Sequence, residues 1–249
     1  MQQHCMLITG GSRGIGAATA ILAAERGYTV CVNYDKNEKA AETVVEKIRE
    51  FGRKAIAVQA DVSSEPDVVR LFETIDDQLG PLTALVNNAG ILETQMRVEE
   101  VDAGRLNRIF SVNITGSFLC AREAVRRMST KHGGNGGAIV NVSSGAARLG
   151  SPGEYVDYAA SKGAIDTMTI GFAQEVGAEG IRVNGVRPGF IYTDIHASGG
   201  EPNRVDRVKE FLPLKRGGHP EEVARAILWL LSDEASYSTG AILDITGGR

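Results

Sequence analysis

The chain has 249 residues, of which 43% are hydrophobic and 23% charged, and it carries a net charge of -4. Such a composition suits one large α/β domain spanning residues 1–249, and the mildly acidic balance lacks the basic footprint of a nucleic-acid binder. The apolar run from Cys5 to Ile8 is too short for a signal peptide, and no segment reaches the roughly 18 apolar residues of a membrane span, so neither nucleic acid nor membrane is an expected partner.

In chain order, β-branched and apolar runs at Met6–Thr9, Thr29–Asn33, Ala55–Gln59, Ala84–Asn87, Ala138–Val142, Arg182–Val186 and Ala241–Ile245 read as strands, with helical periodicity between nearly every neighbouring pair. Continuous apolar strands suit a parallel sheet covered on both faces. The alternation therefore predicts a doubly wound, Rossmann-type seven-stranded parallel sheet with helices on both faces. The 30 glycines exceed the ordinary share of roughly 7% and gather at turns, not in repeats. Cys5, Cys31 and Cys120 are widely spaced with no C-x-x-C, which fits reduced thiols and a cytoplasmic compartment. His4, His132, His196 and His219 share no ligand spacing, and no metal site is expected.

On such a sheet ligands bind beyond the carboxyl ends of the strands. After the first strand comes Thr9-Gly10-Gly11-Ser12-Arg13-Gly14-Ile15-Gly16, then a helix. A glycine-rich strand-to-helix turn lets backbone approach a pyrophosphate, and the helix N-terminus offers unpaired N–H donors with partial positive charge. A flexible turn is the plain alternative. No Gly-Lys-Ser/Thr follows, which argues against a P-loop.

Tyr158-Ala159-Ala160-Ser161-Lys162 puts a tyrosine and a lysine on one helix face, one turn apart. An ammonium fixed beside a phenol favours the phenolate and brings its pKa down from about 10 toward the working range. The other reading, a surface helix contact, holds for most such pairs standing alone.

The G-x-x-x-G-x-G spacing of residues 10–16, taken with Tyr158-x-x-x-Lys162, resembles the short-chain dehydrogenase/reductase family. The resemblance covers nearly the whole chain. It is carried further by Asn87-Asn88-Ala89-Gly90 after the fourth strand, Asn113 on the next helix, Ser143-Ser144 after the fifth and Arg187-Pro188-Gly189 after the sixth. Within the family the chain is similar to bacterial reductases of the 3-oxoacyl-carrier-protein reductase and glucose 1-dehydrogenase type. The resemblance implies hydride transfer between a nicotinamide and a small carbonyl or alcohol substrate. Tyr158 would be the general acid/base, Lys162 would lower its pKa and hold the nicotinamide ribose, Ser144 would hold the substrate oxygen, and Asn113 would bind a water of the proton relay. A homotetramer is implied as well, assembled through the long helices and the last strand. Ser144 to Tyr158 spans one residue more than the family's commonest step, which implies an insertion within Ala146 to Asp157, around Ser151 to Glu154. Ser144 is preferred over Ser143 because strand alternation aims one of the two at the cleft. Tyr155 lacks a lysine four residues on and reads as a loop aromatic or entrance residue.

Cofactor choice turns on the end of the second strand, Val32-Asn33-Tyr34-Asp35. Alignment to the family puts Asn33 where an NAD-selecting acid would stand, with Arg13 and Lys36 near an adenosine 2'-phosphate, so NADP is the expected cofactor. Asp35 keeps NAD open. By resemblance Asp61 and Val62 flank the adenine, Asn88, Ala89 and Gly90 run along the ribose, Pro188, Gly189 and Ile191 wall the nicotinamide, and Thr193 bonds its carboxamide or the pyrophosphate. Residues about 194–213 form the expected substrate lid, in which His196 reads as a solvated loop histidine or a substrate contact.

Overall fold

The computed structural model describes residues 4–249. Seven strands, β1 (Cys5–Ile8), β2 (Thr29–Tyr34), β3 (Ala55–Gln59), β4 (Ala84–Asn87), β5 (Gly137–Val142), β6 (Ile181–Pro188) and β7 (Ile242–Ile245), form one parallel sheet in the order β3-β2-β1-β4-β5-β6-β7. The seven expected strands are all present. The largest shift is at β6, which runs two residues further, to Pro188, because Arg187 and Pro188 pair with Asp244 and Ile245 of the edge strand.

The central strands β1, β2 and β4 are buried along their whole length because both faces are covered. Met6, Ile8, Val30 and Val32 face one core with residues of α1 (Gly14–Glu25) and α2 (Glu38–Glu50). Their neighbours Cys5, Leu7 and Cys31 face a second core with α3 (Glu65–Leu79). On that second face lie α4 (Ala103–Phe110), a π-helical turn (Ser111–Gly116) and α5 (Ser117–Met128), which follow one another without a break. After β5 come the short α6 (Ala146–Leu149) and the long α7 (Val156–Val176). Beyond β6 the segment 194–213 carries α8 (Ile195–Ser198) and α9 (Arg204–Val208), and α10 (Pro220–Leu231) returns to the first face. On α10, Ile227, Leu228, Leu230 and Leu231 are buried while Trp229 is 39% exposed.

Strand order reverses between β1 and β4, so the turns after these two strands open side by side. The Thr9 hydroxyl accepts from the amides of Asn88 and Ala89 at 3.0 Å each. The Asn88 amide group donates in return to the carbonyls of Thr9 and Gly10 at 2.9 and 3.0 Å. A Cβ on Gly16 would lie 2.5 Å from the Gly10 oxygen and 2.6 Å from Asn88 Nδ2. Glycine is required there by contact. Asn87 is buried and structural, its amide donating to Ser117 O and Asn141 Oδ1.

The start of α7 is fixed by a buried ion pair. Arg105 of α4 donates from Nε to Asp157 at 2.5 Å and from Nη1 to the Thr94 carbonyl at 2.8 Å, and both charged side chains are 3% exposed. Asp157 Oδ1 also accepts from the Tyr158 amide at 2.8 Å. Removing one partner of a buried pair strands the other charge, at a cost of about 3 to 5 kcal/mol. Arg105→Met should therefore lower urea-unfolding stability by about that much, and Arg105→Met/Asp157→Leu should recover most of it.

Candidate active site

The carboxyl ends of β1, β2, β4, β5 and β6 open into one cleft of about 550 Å³. Every residue the sequence nominated for the site lines it except Gly16 and Asn113. Arg13, Asp35 and Lys36 lie exposed at the end beside the glycine turn and β2; Tyr158 and Lys162 lie where β5 and α7 meet.

Lys162 is 4% exposed, and its ammonium donates to the Val142 carbonyl at 2.8 Å. The Ser143 hydroxyl is committed to the Lys162 carbonyl, to which it donates at 3.1 Å. Ser144 faces the cleft within hydrogen-bonding reach of the Tyr158 phenol, and its hydroxyl also accepts from the Ala146 amide at 3.1 Å. Between the two, Ser151, at φ 45°, accepts from the amides of Glu154 and Tyr155, which makes residues 151–155 a tight surface turn. Tyr158 stays beside Ser144.

The charge state of the pair differs from the sequence reading. Burial pushes the Tyr158 phenol up to about 12, against a smaller lowering from the Ser144 hydrogen bond. Lys162 does not lower it, because the ammonium sits 5.6 Å from the ring centroid and is turned to Val142. Burial likewise holds Lys162 down to about 8, partly offset by Asp166. Desolvation outweighs mutual attraction, and each group is pushed toward its neutral form.

Three further side chains are engaged otherwise than expected. Asn113, on the π turn, has its side chain filled: Oδ1 accepts from the Ile91 amide at 2.8 Å, and Nδ2 donates to Ile91 O and to the Ser161 hydroxyl at 3.1 and 3.0 Å. Asn33 is buried; its oxygen accepts from the Gly10 amide at 3.2 Å and its nitrogen donates to the Ala60 carbonyl at 3.0 Å. It braces the glycine turn against β3, so its side chain is committed inside the fold. Asp61 accepts from both the amide and the hydroxyl of Ser63, at 2.9 and 2.7 Å. Neither Ser63 nor Ser64 caps α3 with its side chain; Asp67 in the first turn accepts from the Asp61 amide at 3.0 Å instead.

Thr193 packs beside Gly14, where an added Cβ would meet its methyl at 3.2 Å, so the chain after β6 closes over the glycine turn. His196 is no solvated loop residue. Its Nε2 lies 2.9 Å from the Ile191 carbonyl, which makes that nitrogen the donor and leaves Nδ1 buried and unpaired; burial lowers its pKa. Leu92, Leu149, Phe190 and Arg204 also line the substrate end. Of these, Arg204 is the one that sequence reading passed over with chemistry to offer, since an arginine in a polar segment carries no spacing signal. Among the described residues no group of three His, Cys, Asp or Glu side chains could hold a metal, and no helix is long and apolar enough to cross a membrane.

A fold with this strand order, a glycine turn under a nucleotide-sized cleft and a tyrosine–lysine pair at its far end defines a nicotinamide-dependent oxidoreductase. The chain belongs to the short-chain dehydrogenase/reductase family. A family model described as enoyl-(acyl carrier protein) reductase matches residues 10–249. The chain is 65% identical over 243 residues to the uncharacterized oxidoreductase YgfF of Escherichia coli strain K12, covering 98% of each chain. It is 40% identical over 247 residues to a 3-oxoacyl-[acyl-carrier-protein] reductase of Synechocystis, covering 97% of this chain and 95% of that one. Among solved structures, a mutant of a Serratia marcescens short-chain dehydrogenase/reductase superposes with a TM-score of 0.91 at 33% identity, over 99% of this chain and 98% of the other.

Lysine at about 8 when folded and 10.5 when unfolded has a definite consequence for stability. Below pH 8 both states hold the proton and the folded state bears the full desolvation cost, whereas between 8 and 10.5 the unfolded state binds more protons, so stability rises with pH. Lys162→Met should be the more stable protein at pH 7, by on the order of 2 kcal/mol after allowing for the unpaired Val142 carbonyl. Thermal unfolding from about pH 7 to 10.5 should show that advantage shrinking.

Proposed function

We propose that the protein transfers a hydride between NADP(H) and a small carbonyl or alcohol carbon, with Tyr158 as acid in reduction and base in oxidation. The observation that carries this reading is the convergence of Tyr158, Ser144 and Lys162 at one end of the cleft whose other end is the glycine turn. A phenol kept neutral by burial is in the protonation state that reduction needs, since it must donate to the oxygen that gains charge. The Ser144 hydroxyl supplies a second donor to that oxygen without competing as an acid. When bound, the nicotinamide supplies the hydride and, in its oxidised form, a positive charge that favours the phenolate. Lys162 uses one N–H on Val142 and has others for the ribose hydroxyls. The Asn113 side chain ties Ile91 to Ser161 beside Lys162, and binding the relay water is the role we assign to this residue.

NADP is favoured because the adenosine end presents two cations, Arg13 and Lys36, against one acid, Asp35, which is 56% exposed and 3.7 Å from the lysine. Asp35 is also the observation that favours the second reading, an NAD-dependent sugar or alcohol dehydrogenase. A non-catalytic NADP sensor would have no use for the tyrosine, lysine and serine together. A homotetramer built on α5, α7 and β7 agrees with the exposed Phe118, Ile170 and Leu243. A reducing cytoplasm agrees with three free, buried cysteines.

Tyr158→Phe tests the mechanism. Fluorescence titration should give an NADPH affinity within about twofold of the parent, while steady-state turnover with a ketone or aldehyde panel should fall at least ~100-fold. In the parent, NADPH should bind at least ten times more tightly than NADH, and the reverse order would favour the Asp35 reading.

A further inference from the structure

One ring in the cleft wall carries two cations. Phe190 has the Arg204 guanidinium 5.5 Å from its centroid and the Arg249 guanidinium 5.3 Å from it. Both arginines line the cleft, and Arg249 also lines a second cavity of about 560 Å³, which shares Phe190, Ile191 and Thr246 with the first. What holds the two arginines differs. Arg204 is neutralised by Glu154 and Glu201, neither of which lines the cleft. Arg249 is exposed, and among the described residues no carboxylate or carbonyl pairs with its guanidinium.

The chain ahead of Arg249 is fastened so that this side chain is delivered to the cleft. The Gly189 amide donates to the Ile245 carbonyl at 2.9 Å, and the Leu214 amide donates to the Gly247 carbonyl at 3.3 Å. Gly248 takes φ 95°, and a Cβ there would lie 2.9 Å from the Cβ of Pro213. Only glycine fits so close to that ring with such a backbone. Residues 246–248 are therefore packed between the turn after β6 and the end of the 194–213 segment, and Arg249 emerges over Phe190.

The other charges of the two cavities are already matched. Arg216 donates to both oxygens of Glu222 at 2.7 Å each, and the two oxygens of Asp244 accept from Arg148 and Arg187. Lys162 is turned to Val142. Arg13, Asp35, Lys36 and Asp61 lie toward the glycine turn, and Asp194 follows Thr193, which packs on Gly14. One positive charge remains over at the Phe190 end, and it matches a single negative charge on a ligand.

We propose that Arg249 receives the carboxylate of the substrate, which makes the cleft selective for carbonyl compounds carrying a single anionic head group. This rests on the oxidoreductase reading above and names its substrate class. A guanidinium held over an aromatic face spends no N–H group on that contact, so its planar fork stays open to two oxygens at once. The ring also restricts the side chain before the ligand arrives, which lowers the ordering cost of binding.

The experiment sets oxo acids against alkanals of equal length, 4-oxobutanoate against butanal and 6-oxohexanoate against hexanal, so that two reaches from Tyr158 are sampled. The parent should favour the oxo acid in kcat/KM at one length or both. Arg249→Gln should cut the acid-to-alkanal ratio about tenfold, mainly through KM, as expected for loss of one charge-assisted pair. Arg249→Lys, which keeps the charge without the fork, should retain part of the preference. An equal ratio in parent and Arg249→Gln at both lengths would overturn the proposal. So would a loss of NADPH affinity of about tenfold in Arg249→Gln, which would put the guanidinium on the cofactor. Thermal-shift titration of the NADPH-loaded protein with hexanoate and hexanamide reads the contrast without turnover: hexanoate should stabilise the parent more than hexanamide does, and Arg249→Gln should lose that difference. If no aldehyde is reduced but this difference appears, the oxidoreductase reading fails and the receptor stands. If aldehydes are reduced but hexanoate binds parent and Arg249→Gln equally, the receptor alone falls.

Discussion

The site depends on keeping an ammonium out of water beside a half-buried phenol. Lys162 is accepted into the interior because a carbonyl at the end of β5 is turned to receive it. The turn of α7 that carries it is held at both ends, by the Arg105–Asp157 pair before Tyr158 and by the Ser143 hydroxyl on the lysine carbonyl. Even its neighbours leave room: an added Cβ on Gly90 would stand 3.4 Å from both the lysine Nζ and Asn113 Oδ1. Low dielectric makes each electrostatic interaction there stronger; burial keeps the phenol protonated and lowers the lysine to about 8, where it still holds its proton at neutral pH.

The two ends of the cleft therefore work by different physics. At the adenosine end Arg13, Asp35 and Lys36 are exposed, so recognition there is screened and depends on the count of charges. At the other end the lining includes Leu92, Leu149 and Phe190, with Arg204 paired to Glu154 and Glu201 and Arg249 against the Phe190 ring.

Local constraints made much of this legible in the sequence. A strand buried on both faces must be apolar along its length, a pyrophosphate cradle must be glycine-rich, and a pair four apart on a helix must share a face, so sheet, glycine turn and Tyr158–Lys162 could be read from spacing. What could not be read depends on partners distant in the chain. Asn33 reads as a cofactor-selecting position until Gly10 and Ala60 are seen to engage it. That Asn113 ties Ile91 to Ser161 is visible only in the folded chain. The direction of the Tyr158 shift required knowing how deeply the ring is buried and where the ammonium points. Arg204 is invisible without Glu154, fifty positions earlier.

The account comes down to whether a hydride passes directly from nicotinamide to a carbonyl carbon while the oxygen takes its proton from the protein. Reduction of an accepted carbonyl compound by NADPH carrying deuterium at the transferable C4 position, followed by mass spectrometry of the alcohol, measures this most directly. The account predicts one deuterium on the carbinol carbon with none lost to solvent. Alcohol formed without the label, or cofactor bound without any oxidation across the carbonyl panel, would contradict it.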